Sequence, residues 1–156
     1  PNATHWVSSS QWETAHNPNR RERPSFMNEN YDPIQAAEKL KIIEGEEEIT
    51  KNVTLRLFYG HTDGLIVPFV NYNGKTLVYA ADFIPASTHV AMSYVCAYDV
   101  NPLISFDEKE EFLEEALTNN YTLFFEHDLY TECCNLERSP RGIKIKERFT
   151  LSEFAS

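Results

Sequence analysis

Residues 55–62, with the sequence LRLFYGHT, form an alternating apolar segment that runs into a histidine, His61. Two later segments have the same form: TLVYAAD at 76–82 ends in Asp82, and YTLFFEHD at 121–128 carries His127 after an apolar run. Apolar runs of this length and alternation are typical of β-strands. Side chains at strand ends are held rigidly and can converge at one edge of a sheet. Two imidazoles and a carboxylate so placed would suit zinc, although a single histidine after a strand is more often a surface residue.

The rest of the chain predicts an α+β domain. The two-residue turn Asn73-Gly74 is typical of a hairpin, so the middle of the chain predicts an antiparallel meander. Strands are predicted at 4–8, 40–43, 53–59, 65–72, 75–80, 121–125 and 143–149. Helices are predicted from Ser9 or Ser10 to Ala15, from Asp32-Pro33 to about Lys41, and from Ser105 or Asp107 to about Asn119. Residues 82–98 read as irregular, and 128–140 as loop or helix.

Bulk composition narrows the function classes. The 156 residues predict a single domain over 1–156. The net charge is −10, with 24 acidic against 14 basic residues, and such a surface repels nucleic-acid phosphates and anionic lipid. No apolar run approaches the ~20 residues of a membrane span, and the N-terminus lacks a signal-peptide pattern. Three cysteines, two of them adjacent, fit free thiols better than disulfides. These features predict a cytoplasmic protein with neither nucleic-acid nor membrane partners.

Taken in order, four short motifs resemble the second half of the metallo-β-lactamase superfamily: Gly60-His61-Thr62-Asp63-Gly64, Asn73-Gly74, Ala81-Asp82 and Glu126-His127-Asp128. The resemblance implies an αββα sandwich of which this chain is about the C-terminal half, with an antiparallel-rich sheet and helices on one face. Residues 1–49 would be a connecting α/β segment, and 50–156 would hold the second-half sheet, its helix and the ligand-bearing strand ends. Ala81 stands where the family usually has glycine, and Asp63 where proline is common.

The resemblance also implies a site for two divalent metal ions, with zinc as the first expectation. His61 would bind the first ion, Asp82 would bridge both and serve the reaction directly, and His127 would bind the second. Such a pair of ions activates a water for attack on an ester, a lactone or a related bond. The implied function is a metal-dependent hydrolase of a small-molecule substrate. His89 and Tyr98 are candidates for the substrate pocket, although either is compatible with a purely structural role.

One family motif is missing from the sequence. The His-x-His-x-Asp-His signature, which lies in the N-terminal half of the family's fold, does not occur here. We therefore expect this chain to be part of a longer protein and to be inactive by itself, because each ion would keep only about two protein ligands. An exposed apolar sheet face would then pair with the missing half or with a second copy of the chain. The alternative is a non-catalytic interaction or assembly module that kept the scaffold.

Two further features remain open in the sequence. Asp128 could orient the imidazole of His127 as a hydrogen-bond partner, or it could simply begin a loop. The basic segment containing Arg20, Arg21 and Arg23 could hold a substrate anion, or it could be a solvated or salt-bridged loop.

Overall fold

The computed structural model describes residues 2–156, and within them it contains four α-helices and nine β-strands. The helices are α1 (Ser9–His16), α2 (Asn28–Ala36), α3 (Pro102–Thr118) and α4 (Leu151–Ala155). The strands are β1 (His5–Ser8), β2 (Leu40–Ile43), β3 (Glu47–Thr50), β4 (Val53–Phe58), β5 (Leu65–Tyr72), β6 (Lys75–Tyr79), β7 (Thr122–Phe124), β8 (Cys133–Ser139) and β9 (Gly142–Phe149). Among the described residues, no helix combines the length and the apolarity needed to cross a bilayer.

Seven strands form one sheet in the order β3-β4-β5-β6-β7-β8-β9, and β1 and β2 form a separate parallel pair. Neighbouring strands of the large sheet are antiparallel except for β6 and β7, which are parallel. The predicted antiparallel meander is therefore confirmed. At its hairpin turn Asn73 and Gly74 have φ values of 52° and 76°, the left-handed pair that a two-residue turn requires.

The main core lies between the large sheet and α3, on what we call the helix-covered face. Val67, Val78 and Leu123 project from three adjacent strands and are fully buried. Phe58 and Phe112 meet edge to face with ring centroids 6.1 Å apart. Burial of these large apolar side chains fixes α3 across the sheet.

The opposite side of the sheet, the open face, is also apolar. It consists of Leu57, Ile66, Val70, Leu77 and Tyr79, which alternate with the core residues along β4, β5 and β6 and are each only partly buried. At one corner Phe154 of α4 packs near the ring of Tyr72, with ring centroids 6.2 Å apart. The five apolar side chains of this face therefore keep part of their surface accessible.

The predicted helix from Asp32-Pro33 to about Lys41 is wrong in its bounds. Helix α2 begins at Asn28, so that Pro33 lies inside it. The earlier start is favoured by Tyr31, whose hydroxyl donates to the carbonyl of Ala15 at 2.8 Å and whose ring meets Trp12 edge to face. The helix stops because Glu38 takes a left-handed φ of 57° and the chain then enters β2.

Two other segments differ from the sequence prediction. Residues 128–140, expected as loop or helix, contain strand β8, because pairing with β9 buries Cys133 and Cys134 completely. Helix α3 begins at Pro102 rather than at Ser105 or Asp107, since proline suits the first helical position. The unpredicted α4 begins with a capping box formed by Thr150 and Glu153.

Candidate metal centre

The three predicted ligands meet at one edge of the large sheet. Nε2 of His127 lies 3.1 Å from Oδ1 of Asp82, and Nε2 of His61 lies 3.6 Å from Oδ2 of the same carboxylate. The topology explains this convergence. Strand β5 is antiparallel to β4 on one side and to β6 on the other, so β4 and β6 run in the same direction. Strand β7 is parallel to β6 and therefore also runs that way. The three segments that follow these strands therefore leave the sheet at the same edge.

Asp82 lies on a tight turn at the end of β6. Ala80 donates its N–H to the carbonyl of Phe124 at 2.9 Å, and its own carbonyl accepts from the N–H groups of Phe83 and Ile84. Ala81, between Ala80 and Asp82, has a left-handed φ of 44°. This conformation favours glycine, which explains why glycine is the usual residue before the aspartate in the family that the sequence resembles.

The segment that carries His61 is fixed by α3. A Cβ added to Gly60 would lie 2.3 Å from the backbone nitrogen of Ser105, so only glycine permits the approach of the helix. The Glu108 carboxylate accepts from the backbone N–H groups of Tyr59 at 2.7 Å and of Gly60 at 3.0 Å. These contacts give the Gly-His-Thr segment a defined position at the end of β4.

The His61 ring is held from its other side by a buried carboxylate. Nδ1 of His61 lies 2.9 Å from Oδ1 of Asp99, which is 5% exposed. A carboxylate only accepts hydrogen bonds, so Nδ1 is the donor. In the neutral ring, Nε2 then presents a lone pair toward Asp82. A nitrogen lone pair and a carboxylate facing each other are compatible with a divalent cation held by both, and this donor set fits such an ion.

Among residues 2–156, two groups of side chains have ligand atoms within 4.8 Å of one another: Asp82, Glu126 and His127, and His61, Cys96 and Asp99. Glu126 was not among the predicted site residues. The only feature of the sequence that could have indicated it is its position next to His127. The contact of Asp99 with His61 spans 38 residues of sequence. No local pattern in the chain indicates this contact.

A cavity of about 480 Å³ opens beside the three predicted ligands. His89 and Tyr98, the two candidates for the substrate pocket, lie in its wall, and Tyr98 is 77% exposed at the rim. Burial lowers the pKa of His89, and the nearby Lys109 charge lowers it further. The space suits a small molecule.

Arg21, which lies in the wall of this cavity, is exposed but hydrogen-bonded to the protein backbone. Its guanidinium donates to the carbonyls of Ala97 and Asp99. Of the two interpretations of the basic segment, this contact favours a structural role for Arg21.

Asp128 closes the loop that carries His127. It accepts from the N–H and hydroxyl of Ser87, at 2.9 and 2.5 Å, and from the N–H groups of Tyr130 and Thr131, each at 2.9 Å. Burial raises the pKa of Asp128, but these hydrogen bonds outweigh it and lower the pKa to about 2. The carboxylate therefore binds the 85–89 segment to the loop after β7.

Comparison with known proteins identifies the fold. No protein-family model matches the sequence, and a comparison with curated proteins finds no match. Among solved structures, a probable metal-dependent hydrolase from Staphylococcus aureus superposes with a TM-score of 0.83 at 25% identity, over 96% of this chain and 52% of that chain. The hydrolase AbOPH of the beta lactamase superfamily gives 0.76 at 16% identity, over 93% and 55%. AidC, a dizinc quorum-quenching lactonase in complex with a product, gives 0.75 at 19% identity, over 96% and 56%.

The chain spans about half the length of the solved structures that it matches. The predicted fold is confirmed: the chain has the fold of about the C-terminal half of a metallo-β-lactamase-type hydrolase.

Proposed function

We propose that this chain carries part of the metal centre of a metal-dependent hydrolase, with His61, Asp82 and His127 as ligands. The observation that carries the proposal is the convergence of both imidazoles on the two oxygens of one carboxylate, at 3.1 and 3.6 Å. The likeness to hydrolase structures supports the reaction class. The dizinc lactonase among them favours two zinc ions and an ester, a lactone or a related bond of a small molecule as substrate.

The proposed ligands and the pocket residues have different roles in this function. Asp82 has one oxygen toward each imidazole, so with His61 and His127 it would hold the ions. Divalent ions bound here would lower the pKa of a water and polarise the bond under attack. His89 and Tyr98 line the cavity beside these ligands and would contact the substrate.

The described residues offer few ligands for each ion. A catalytic zinc usually has three protein ligands, whereas His61 and Asp82 form one pair here, and His127, Asp82 and Glu126 the other group. We therefore expect the chain alone to bind zinc weakly and to hydrolyse little, with the remaining ligands supplied by another half-domain. A cytoplasmic location is part of the same proposal and is supported by the three free thiols.

The test is a zinc titration of the purified chain by calorimetry. We expect binding in wild type that weakens at least ten-fold in the double variant His61→Ala, His127→Ala. His5→Ala is the matched control, because His5 is exposed and lies outside the site. Equal zinc binding by wild type and double variant would overturn the proposed ligands.

The alternative function is a non-catalytic interaction or assembly module, favoured by the small number of ligands per ion. It predicts that the wild-type chain binds no zinc even at millimolar concentration. A lactone-hydrolysis assay on a protein that joins this chain to a complementary half with the His-x-His-x-Asp-His motif then separates the two functions. Activity that depends on His61 and His127 supports the enzyme, and a folded but inactive assembly supports the module.

A further inference from the structure

Asp99 is a buried carboxylate at the back of the candidate metal centre. It is 5% exposed, and its Oδ1 lies 2.9 Å from Nδ1 of His61, on the side of the ring opposite to Asp82. A buried carboxylate is costly unless hydrogen bonds and an opposite charge compensate it. Its presence at this point therefore calls for a specific role.

The backbone around Asp99 is fixed relative to His61. The N–H of Asp99 donates to the carbonyl of Cys96 at 3.1 Å, and the N–H of Val100 donates to the carbonyl of His61 at 3.0 Å. The guanidinium of Arg21 donates to the carbonyl of Asp99 at 3.3 Å. The distance between the carboxylate and the imidazole is thus set by the fold rather than by a mobile side chain.

Lys109 supplies an opposite charge nearby. It is 3% exposed, and Lys109, Asp99 and Ser105 line one small internal cavity of about 10 Å³. The Lys109 ammonium donates to backbone carbonyls of the 89–94 segment, with its shortest contact, 2.6 Å, to Tyr94. Burial lowers the pKa of Lys109, and the Asp99 carboxylate opposes that lowering. Asp99 and Lys109 therefore place opposite charges on the wall of one internal cavity.

We propose that Asp99 is a positioning residue, compensated by Lys109, that holds the His61 ring in the Nδ1–H tautomer with Nε2 free to face Asp82. The free histidine side chain populates both tautomers, and only the one with an unprotonated Nε2 can bind an ion on the Asp82 side. An anionic acceptor at Nδ1 also makes Nε2 a stronger ligand, and loss of such a partner typically weakens metal binding by about 10- to 100-fold. The effect on metal affinity rests on the proposed metal-binding function, whereas the assignment of the tautomer does not.

The first test needs neither metal nor activity. Long-range ¹⁵N–¹H correlation spectra of the metal-free chain at pH 8, with His61 assigned by comparison with a His61→Gln variant, report the tautomer directly. We expect essentially one tautomer, Nδ1–H, in wild type. In Asp99→Asn, a nearly isosteric change whose amide can also donate to Nδ1, we expect a mixture or the Nε2–H form. A mixture in wild type, or an unchanged tautomer in Asp99→Asn, overturns the proposal, and the wild-type spectrum decides even if the variant does not fold.

The second test measures Co²⁺ affinity. We expect the dissociation constant to rise at least ten-fold in Asp99→Asn and to change less than two-fold in two controls. Ser105→Ala alters the same internal cavity without touching His61, and Asp107→Asn removes an exposed charge. Equal losses in Ser105→Ala and Asp99→Asn would show a merely structural effect and overturn the positioning role. A wild-type chain that keeps the Nδ1–H tautomer but binds no Co²⁺ would instead count against the proposed function and leave the tautomer assignment standing.

Discussion

Ala81 has a backbone conformation that usually belongs to glycine, at the residue before Asp82. Its φ of 44° costs an L-residue about 1–2 kcal/mol. We expect Ala81→Gly to change the free energy of unfolding by less than about 0.5 kcal/mol, because relief of strain offsets the lost methyl burial and the greater freedom of the unfolded chain. The measurement is urea denaturation. The same substitution at Ala80, which is buried without a positive φ, is the control and should cost about 1.5 kcal/mol. Equal losses at the two positions would show that the turn carries no strain.

The three thiols differ in access. Burial raises the pKa of Cys133 to about 11 and that of Cys134 to about 12, and both side chains are fully buried. Cys96 is only partly buried, although burial raises its pKa as well. Because the thiolate is the reactive form, we expect one thiol per chain to react with a disulfide reagent at pH 8, and a Cys96→Ser variant to show none until denaturant is added. Reaction of two or three thiols in the folded chain would contradict this assignment.

At the scale of elements, the side chain of Lys109 connects helix α3 to the backbone of the 89–94 segment. The Lys109 ammonium donates to four backbone carbonyls, of His89, Ala91, Met92 and Tyr94, at 2.6–3.3 Å. We expect Lys109→Met to lower the free energy of unfolding by about 2–4 kcal/mol, because four carbonyls in part-buried hydrogen bonds lose their donor. Chemical denaturation measures the loss. Lys144→Met, which removes an exposed ion pair with Glu137, should cost less than about 1 kcal/mol, and a similar cost for both would contradict the role of Lys109.

The elements also show which parts of the fold are readable in the sequence. The meander from β4 to β6 was predictable because its strands alternate and Asn73-Gly74 requires a tight turn. Strand β8 was not, because Cys133 and Cys134 owe their strand conformation to pairing with β9 rather than to local alternation. The bounds of α2 depend on the contact of Tyr31 with α1, which no local pattern reveals.

Some residues of the candidate site could also be predicted from the sequence, and others could not. His61, Asp82 and His127 could be selected because each follows an apolar strand segment, and the structure brings them together, although their metal-binding role stays a prediction. Asp99 reaches the site from an irregular segment, through a packing arrangement set by Gly60 and α3. The sequence thus indicated the side chains at strand ends, but it did not indicate Asp99, which contacts the His61 ring on the side opposite to Asp82.

At the scale of the whole molecule, the open face is an apolar sheet surface whose side chains are only partly buried. Because apolar sheet surface favours association, we expect the chain to self-associate at high concentration in 0.3 M salt, where repulsion from the net charge of −10 is screened. Light scattering after size-exclusion chromatography measures the mass. The paired residues Val70 and Leu77 lie on this face, and their double substitution by lysine should restore a monomer.

The control for that experiment adds the same charge on the other side of the same strands. Asn71 and Thr76 are also paired across β5 and β6, and their replacement by lysine should leave self-association unchanged. If both double variants dissociate equally, charge rather than the open face governs the association.

The single-domain organisation over 1–156 stays a prediction.

The parallel pairing of β6 with β7 has a kinetic consequence. The hairpins from β4 to β6 close over short loops, whereas α3 and the irregular segment before it separate β6 from β7 in the sequence. Contacts between residues distant in sequence form slowly, because a long loop loses entropy before any contact stabilises it. His61 and Asp82 thus belong to a unit that can form early, and His127 reaches them in a later step. During synthesis on the ribosome, the growing chain would complete its meander well before it could close the edge where the three side chains meet.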